Sequence, residues 1–176
     1  MKGRRARLLL GLEAELGFTV LGRDGRRVPN PSALGRFIGF CQARLAYLPN
    51  VDRNRLYLAN GSLIYPDCGH PEFATAECSS PIALLESLRA GEALLTEVAA
   101  DIAALSEVSA VHLYRTNVDY GVAGVTWGCH ENYLSRRHPL NYARSVVPHL
   151  MSRVVYTGET RPASTTMATE LVSLPM

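Results

Sequence analysis

Residues 60–78, NGSLIYPDCGHPEFATAEC, decide the fold of this chain of 176 residues. They open with Asn60-Gly61, a pair preferred in tight type I′ turns, which lies between the apolar runs 56–58 and 63–65. This arrangement predicts an antiparallel β-hairpin. Because strand side chains alternate between the two faces of a sheet, Tyr65 and Asp67 are expected to project from the same face.

The segments on either side of the hairpin predict a domain that mixes strands and helices. Strands are expected at residues 8–15, 18–21, 111–114 and 130–134, the first two as partners, and helices at residues 31–48, 80–105 and 140–154. Asn30 is expected to cap the first helix, and Pro148 to bend or interrupt the last. A glycine-rich loop covers residues 121–128. Since the strands and helices lack regular βαβ spacing, the pattern favours an α+β fold.

Composition and charge argue against several classes of protein. The chain is 47% apolar and 19% charged, which is typical of a globular protein, and its formal net charge of +2 is too small for a nucleic-acid binder. No apolar run approaches the roughly 20 residues that span a bilayer. The four cysteines lack zinc-type spacing and are expected to be reduced thiols. We therefore expect a cytoplasmic protein with no nucleic-acid or membrane partner.

Polar side chains that can bind metal cluster in three segments. Glu13 and Glu15 stand two apart on a predicted strand, so their carboxylates share a face and repel unless a cation or proton separates them. The pair alone also fits an exposed strand edge. The second cluster contains Tyr65, Asp67, His70, Glu72, Thr75 and Glu77, and the third is GCHENY at residues 128–133. Hard oxygen ligands of this kind suit Mg²⁺, whereas His130 fits a ligand role and a structural role equally.

Five motifs in chain order resemble those of Pup ligases and Pup deamidases, enzymes with the glutamine-synthetase fold. They are LGLEAELG at residues 10–17, the stretch 60–78 with its HPEF motif, RAGE at 89–92, the NVD and WGCHENYL blocks of 117–134, and VVPHLMSR at 146–153. Together they cover about residues 8–158. The resemblance implies a glutamine-synthetase-like (carboxylate–amine ligase) domain, with helices packed on a curved antiparallel sheet.

The same resemblance sets an expectation for domain organisation. Residues 1–158 would form the N-terminal part of the catalytic domain, and residues 159–176 an irregular tail. Members of the family are much longer, so the sheet is expected to be incomplete on its C-terminal side. An open sheet edge favours association with another chain. We therefore expect that the chain alone is not a competent enzyme, and that it self-associates or needs a second polypeptide to complete the sheet.

Roles for individual residues also follow from the resemblance. It implies Glu13, Tyr65 and Glu72 as Mg²⁺ contacts with Glu15 as a further member, Asp67 as the catalytic aspartate and Thr75 as an ATP contact. In the implied reaction, a glutamate side chain of Pup becomes a γ-glutamyl phosphate, and an aspartate takes a proton from the attacking lysine amine. The expected cofactors are ATP and Mg²⁺. The expected partners are a Pup-like protein and lysine-bearing protein substrates.

Three functions stay open at this point. A Pup ligase is favoured because residues 15–60 leave little room for the long insertion of deamidases, and because residues 73–78 look ligase-like. The shorter spacing of residues 67–70 is deamidase-like, which keeps a Pup deamidase (depupylase) as the alternative. Leu63 stands where the family usually has an arginine that meets ATP phosphate. This departure supports the third function, a truncated or degenerate non-catalytic paralogue that acts as a binding module.

Overall fold

The computed structural model describes residues 9–48, 52, 54–116, 127–134, 139–157 and 169–175. Within these ranges the predicted α+β class is confirmed, with two antiparallel sheets and three helices. The strands are β1 (Leu10–Glu15), β2 (Gly17–Gly22), β3 (Tyr47–Leu48), β4 (Leu56–Leu58), β5 (Leu63–Asp67), β6 (His70–Ala74), β7 (Val108–Arg115), β8 (Cys129–Tyr133) and β9 (Thr169–Pro175). The helices are α1 (Asn30–Arg44), α2 (Pro81–Ala103) and α3 (Pro139–Thr157).

The larger sheet collects all three polar clusters of the sequence. Its strand order is β3-β4-β5-β6-β1-β8. Strand β1 pairs antiparallel with β6 on one side and with β8 on the other, although β8 is far away in the chain. The predicted hairpin is confirmed as the β4–β5 pair. The sheet therefore brings residues of the first, second and third clusters onto neighbouring strands.

The expected pairing of β1 with β2 is wrong. Only Leu16 separates the two strands, and reversal of the chain in a hairpin usually takes a loop of about two residues or more. The chain therefore runs on past Leu16, which is 1% exposed, into another sheet. There β2 joins β7 and β9 in the order β2-β7-β9.

The type I′ turn predicted at Asn60-Gly61 is wrong, and such a turn occurs at the next hairpin instead. Among the described non-glycine residues only Cys68 has a positive φ (44°), and Gly69 follows with 96°. A type I′ turn needs positive φ at both central residues, which Cys68 and Gly69 provide between β5 and β6. Gly61 (φ 89°) ends a three-residue loop and donates its N–H to the Leu58 carbonyl at 2.9 Å, the arrangement of a type I turn with a bulge.

Helix α1 is shorter than predicted and is capped differently. It stops before Leu45, whose backbone is extended, and β3 then pairs with β4. The N-cap is Pro29, so the prediction of Asn30 as the cap is wrong. The Asn30 side chain instead donates through Nδ2 to the Gly69 carbonyl at 2.7 Å. This bond ties the start of α1 to the turn between β5 and β6.

The other two helices agree better with the sequence. Helix α2 begins after Ser80, whose Oγ accepts a hydrogen bond from the Ala83 N–H at 3.1 Å. Helix α3 continues through Pro148, so the proline does not interrupt it. In the described part of the chain, no helix has both the length and the apolar character needed to cross a membrane.

The expectation of an irregular tail does not hold for the last described segment. Strand β9 pairs antiparallel with β7, with Val172 opposite Leu113 and Leu174 opposite Val111. Strict alternation of apolar and polar residues would have predicted this strand, but Leu171 beside Val172 breaks the alternation. Residues 158–168 lie outside the described residues, as do positions 121–126 of the expected glycine-rich loop.

The apolar core lies between α1, α2 and the two sheets. Gly91 of α2 approaches the larger sheet so closely that a Cβ added there would lie 2.3 Å from Phe73 Cε1. Phe73 is 3% exposed and follows Glu72 in β6. The contact between Gly91 and Phe73 therefore sets the position of the strand that carries Glu72.

Candidate metal-binding site

Acidic side chains line one face of the larger sheet. Tyr65, Glu72 and Glu15 are direct partners across β5, β6 and β1 and form one transverse row. In the neighbouring row, Glu13 is the partner of His130 in β8. Because strand side chains alternate with period two, these two rows project from the same side of the sheet. We call this side, which also includes Asp67, the carboxylate face.

Two groups of candidate metal ligands form on the carboxylate face. They are Glu13, Glu72 and His130 in one group, and Glu15, Asp67 and Glu72 in the other. Within each group, the ligand atoms lie within 4.8 Å of one another. Oxygens on opposite sides of a bound Mg²⁺ are about 4 Å apart, so small side-chain rotations would bring either group into bonding range. Glu72 belongs to both groups and can therefore bridge two cations.

The chemistry of the ligand atoms distinguishes the two groups. The group around Glu15 offers only carboxylate oxygens, which suit Mg²⁺. The group around Glu13 adds an imidazole, which also suits Mn²⁺ or Zn²⁺. The residues present therefore fit divalent cations. The metal roles predicted for Glu13, Glu15, Tyr65 and Glu72 remain predictions, although the fold brings all four side chains to one place.

Electrostatic strain is concentrated at Glu72. Its side chain is buried, and this burial raises the pKa of the carboxyl above its ordinary value. The charges of Glu13, Glu15 and Asp67 raise it further, while a hydrogen bond from Tyr65 opposes the rise. Burial and the bond to Glu72 in turn raise the pKa of the Tyr65 hydroxyl. A divalent cation next to Glu72 would neutralise these repulsions and favour the ionised carboxylate.

Glu13 is held by two side chains of β8. His130 Nδ1 lies 2.8 Å from Glu13 Oε2, and Asn132 Nδ2 donates to Glu13 Oε1 at 3.2 Å. The His130 side chain is 61% exposed, so it can exchange this bond for a metal bond at little loss of packing. A Cβ on Gly128 would lie 2.7 Å from His130 Nε2, so a larger residue at position 128 would displace the exposed His130 ring. The sequence left open whether His130 is a ligand or a structural residue, and the structure places it in contact with the candidate ligand Glu13.

Glu15 is anchored more firmly than Glu13. Its side chain is 4% exposed, and Oε1 lies 3.0 Å from His70 Nδ1 while Oε2 accepts the Gly128 N–H at 3.0 Å. The His70 ring also stacks on Trp127, with 4.2 Å between ring centroids. The sequence indicated none of these pairings, since they join residues from three distant segments. Glu15 therefore connects Gly128 to the β5–β6 hairpin.

Thr75, predicted to contact ATP, has a structural hydrogen bond. Its Oγ1 accepts the Leu12 N–H at 3.0 Å, and its own N–H donates to the Leu12 carbonyl at 2.9 Å. The hydroxyl lies near Gly11, 3.9 Å from where a Cβ would stand on that glycine. These bonds hold Thr75 at the junction of β1 and β6. Its contact with ATP remains a prediction.

A second polar cluster docks helix α3 onto the opposite side of β8. Arg153 Nη1 lies 2.7 Å from Glu131 Oε1, and His149 Nε2 lies 3.3 Å from Glu131 Oε2. The Tyr133 hydroxyl donates to the same carboxylate. Burial alone would raise the pKa of Glu131, but the hydrogen bonds from these three groups outweigh it, and the pKa is lowered. His130 and Glu131 are neighbours in the sequence but face opposite sides of β8. His130 contacts Glu13, and Glu131 binds side chains of α3.

The lowered pKa of Glu131 predicts a pH-dependent contribution to stability. The ionised carboxylate stabilises the fold above its ordinary pKa of 4.5, and this contribution is lost as the pH falls through the lower folded pKa. We expect Glu131→Gln to lower the free energy of unfolding by about 2 kcal/mol at pH 7 and by less below pH 4.5. Urea denaturation in EDTA at several pH values measures this, with Glu77→Gln as the exposed control. A loss that is independent of pH would contradict the assignment.

The fold and the site together define an α+β protein whose larger sheet carries a candidate metal site. The family model described as "Pup-ligase protein" matches residues 9–170, and the chain belongs to this family. This agrees with the resemblance seen in the sequence motifs. The family assignment does not by itself test the role of any residue.

Individual relatives match most of this chain but only part of their own length. The Pup–protein ligase of Corynebacterium aurimucosum is 35% identical over 170 residues, which are 90% of this chain and 34% of the relative. That of Micrococcus luteus is 38% identical over 174 residues, or 92% and 35%. A crystal structure of the complex between the prokaryotic ubiquitin-like protein Pup and its ligase PafA superposes with a TM-score of 0.69 at 26% identity, covering 93% of this chain and 33% of that one. The chain thus spans about a third of the length of these proteins.

Proposed function

We propose that this chain forms the metal-binding part of a glutamine-synthetase-like Pup–protein ligase. The reaction would join the side-chain carboxylate of Pup's C-terminal glutamate to a substrate lysine, using ATP and Mg²⁺ in the cytoplasm. The observation that carries the proposal is the pair of ligand groups that share Glu72 on the carboxylate face. The names of the relatives and the Pup complex of the structural relative support Pup as the partner.

Different residues of the carboxylate face have different tasks in this proposal. Glu72 would bridge two cations, with Glu15 and Asp67 on one side and Glu13 and His130 on the other. When bound, the cations would supply charge neutralisation for the phosphate groups of ATP. Tyr65 orients Glu72 through its hydrogen bond. His70, bonded to Glu15, holds that carboxylate in place.

Asp67 has two tasks in this proposal that compete for its carboxylate. It belongs to the all-oxygen ligand group, and it is also the base that would take a proton from the lysine amine. A carboxylate has two oxygens, so one can bind a cation while the other accepts the proton. The hydrogen bond from Asn30 to Gly69, two residues beyond Asp67, limits movement of this end of the hairpin.

Hydrolysis is the second candidate function. The two-residue turn at Cys68-Gly69 leaves Asp67 directly opposite His70. The resemblance to the family associates this short spacing with deamidases. With water in place of the lysine amine, the same base would cleave an amide or isopeptide bond of Pup. The two functions therefore differ in the acceptor and not in the position of the base.

Incubation with Pup that ends in glutamate or in glutamine separates these functions. We expect the intact gene product, with ATP, Mg²⁺ and a lysine-bearing acceptor, to conjugate glutamate-ended Pup, whereas residues 1–176 alone should not. Asp67→Asn is expected to lower the rate by about 100- to 10,000-fold, the usual contribution of a general base. Unchanged turnover in this variant would contradict the assignment of Asp67. Release of ammonia from glutamine-ended Pup without conjugation would favour hydrolysis, and retained metal binding without either activity would favour a binding module.

A further inference from the structure

Arg55 lies beside the carboxylate face and next to one of its central side chains. Its guanidinium carbon is 5.5 Å from the centroid of the Tyr65 ring. In the β4–β5 pair, Leu56 is the partner of Ile64. Continuing this antiparallel register by one residue places Arg55 opposite Tyr65. The arginine therefore extends the transverse row that contains Tyr65, Glu72 and Glu15.

The carboxylate partner of Arg55 is weakly bound. Arg55 Nε lies 3.3 Å from Asp52 Oδ2, and the two side chains are 52% and 51% exposed. An exposed pair of this kind contributes little, because water screens the charges. The other paired arginines of the described segments contact carboxylates away from this face: Arg26 contacts Asp24, Arg36 contacts Glu107, Arg44 contacts Glu97 and Asp101, Arg89 and Arg115 contact Glu92, and Arg153 contacts Glu131. A stronger anion on the carboxylate face can therefore recruit Arg55 by displacing Asp52.

Phosphate is the anion whose geometry fits Arg55. A planar guanidinium offers two parallel N–H donors to phosphate oxygens, and stacking on an aromatic ring fixes its plane. Metal ions held by the neighbouring carboxylates would attract the same phosphate groups. We infer that Arg55 is a phosphate-contacting residue for a nucleoside triphosphate bound with its metal ions on the carboxylate face. This inference rests on the proposed function.

Position 63 provides a way to test the inference by moving the charge. Leu63 lies two residues before Tyr65 on the same side of β5, and its partner in β4 is Tyr57. Positions 55 and 63 are diagonal neighbours across the hairpin, about 7–8 Å apart, which is within the reach of an arginine side chain. An arginine at position 63 can thus reach the same region of the carboxylate face from β5.

Calorimetric titration of the purified protein with Mn²⁺, and then with tripolyphosphate or ATP in the presence of the metal, tests the role of Arg55. We expect Arg55→Met to leave the Mn²⁺ affinity within about twofold and to weaken triphosphate binding by about 10- to 100-fold, the usual loss of a charge-assisted contact. The triphosphate affinity of Arg55→Lys should lie between those of the unsubstituted protein and Arg55→Met, because an ammonium keeps the charge but lacks the two parallel N–H donors of a guanidinium. The double variant Arg55→Met/Leu63→Arg should recover most of the affinity.

Arg36→Met is the matched control, since it removes the same charge at an exposed ion pair outside the carboxylate face. Equal triphosphate affinity in Arg55→Met and the unsubstituted protein would overturn the inference, as would an equal loss in Arg36→Met. If the unsubstituted protein binds Mn²⁺ but no triphosphate, the inference about Arg55 fails while the metal site stands. If it binds no Mn²⁺, the proposed function itself fails.

Discussion

Glu72→Gln is expected to weaken Mn²⁺ binding by at least about 100-fold. Loss of a group that only supports a metal ligand already weakens binding by about 10- to 100-fold. Glu72 itself contributes to both ligand groups, so its loss should weaken binding further. The glutamine keeps the shape of the side chain but lacks the charge that attracts a hard cation. Titration of Mn²⁺ followed by electron paramagnetic resonance measures the free ion and gives both dissociation constants directly.

Glu77→Gln is the control for this substitution, because Glu77 is exposed and lies five residues further along the chain. It removes the same charge and should change the Mn²⁺ affinity by less than about twofold, since exposed charges are screened. Without metal, Glu72→Gln should unfold at a temperature no lower than the unsubstituted protein, because the neutral amide avoids the repulsion from Glu13, Glu15 and Asp67. Equal Mn²⁺ affinity in the two variants would mean that Glu72 is not a ligand.

Gly91→Ala is expected to destabilise the fold by about 3 kcal/mol, the upper end of the usual range for overpacking. The added Cβ would lie 2.3–2.5 Å from three atoms of the Phe73 ring, and the ring is buried, with Phe73 only 3% exposed. In a protein of this size, such a loss lowers Tm by roughly 6–12 °C. Because Phe73 follows Glu72 in β6, Mn²⁺ binding should weaken as well. Differential scanning calorimetry and the Mn²⁺ titration measure the two effects.

Gly39→Ala, in another helix, is expected to stabilise the protein. Gly39 lies in α1, and a Cβ added there meets no atom within 4 Å. Replacing a helical glycine with alanine at an open site stabilises the helix by about 1 kcal/mol. Phe73→Leu should recover part of the stability lost in Gly91→Ala, since the smaller side chain makes room for the Cβ. A Gly91→Ala protein as stable as Gly39→Ala would show that α2 and β6 are not in close contact.

Local patterns in the sequence are sufficient to predict which candidate ligand side chains share a face. Period-two alternation placed Glu13 with Glu15 and Tyr65 with Asp67, and both pairs lie on strands of the larger sheet. The order of the strands was not predictable in the same way. β1 lies between β6 and β8, and this pairing joins Glu13 to His130 across most of the chain. Alternation fixes the faces of a strand but not its neighbours.

The turns show a similar limit. Asn60-Gly61 has the preferred sequence for a type I′ turn, yet only Cys68, among the described non-glycine residues, adopts positive φ. The β5–β6 hairpin requires a two-residue turn because Asp67 is the direct partner of His70. The strand register therefore overrides the preference of the individual residue. Asn30 supplies a hydrogen bond from α1 to the Gly69 carbonyl of this turn, which a sequence pattern does not reveal.

Anomalous diffraction from crystals grown with Mn²⁺ is the most direct measurement of the proposed metal site. Glu72 is expected to bridge two manganese ions about 3.5–4 Å apart. One ion should contact Glu15 and Asp67, and the other Glu13 and His130. Two anomalous peaks on either side of the Glu72 carboxylate would agree with this arrangement. Peaks confined to exposed carboxylates elsewhere, with none in bonding range of Glu72, would contradict it.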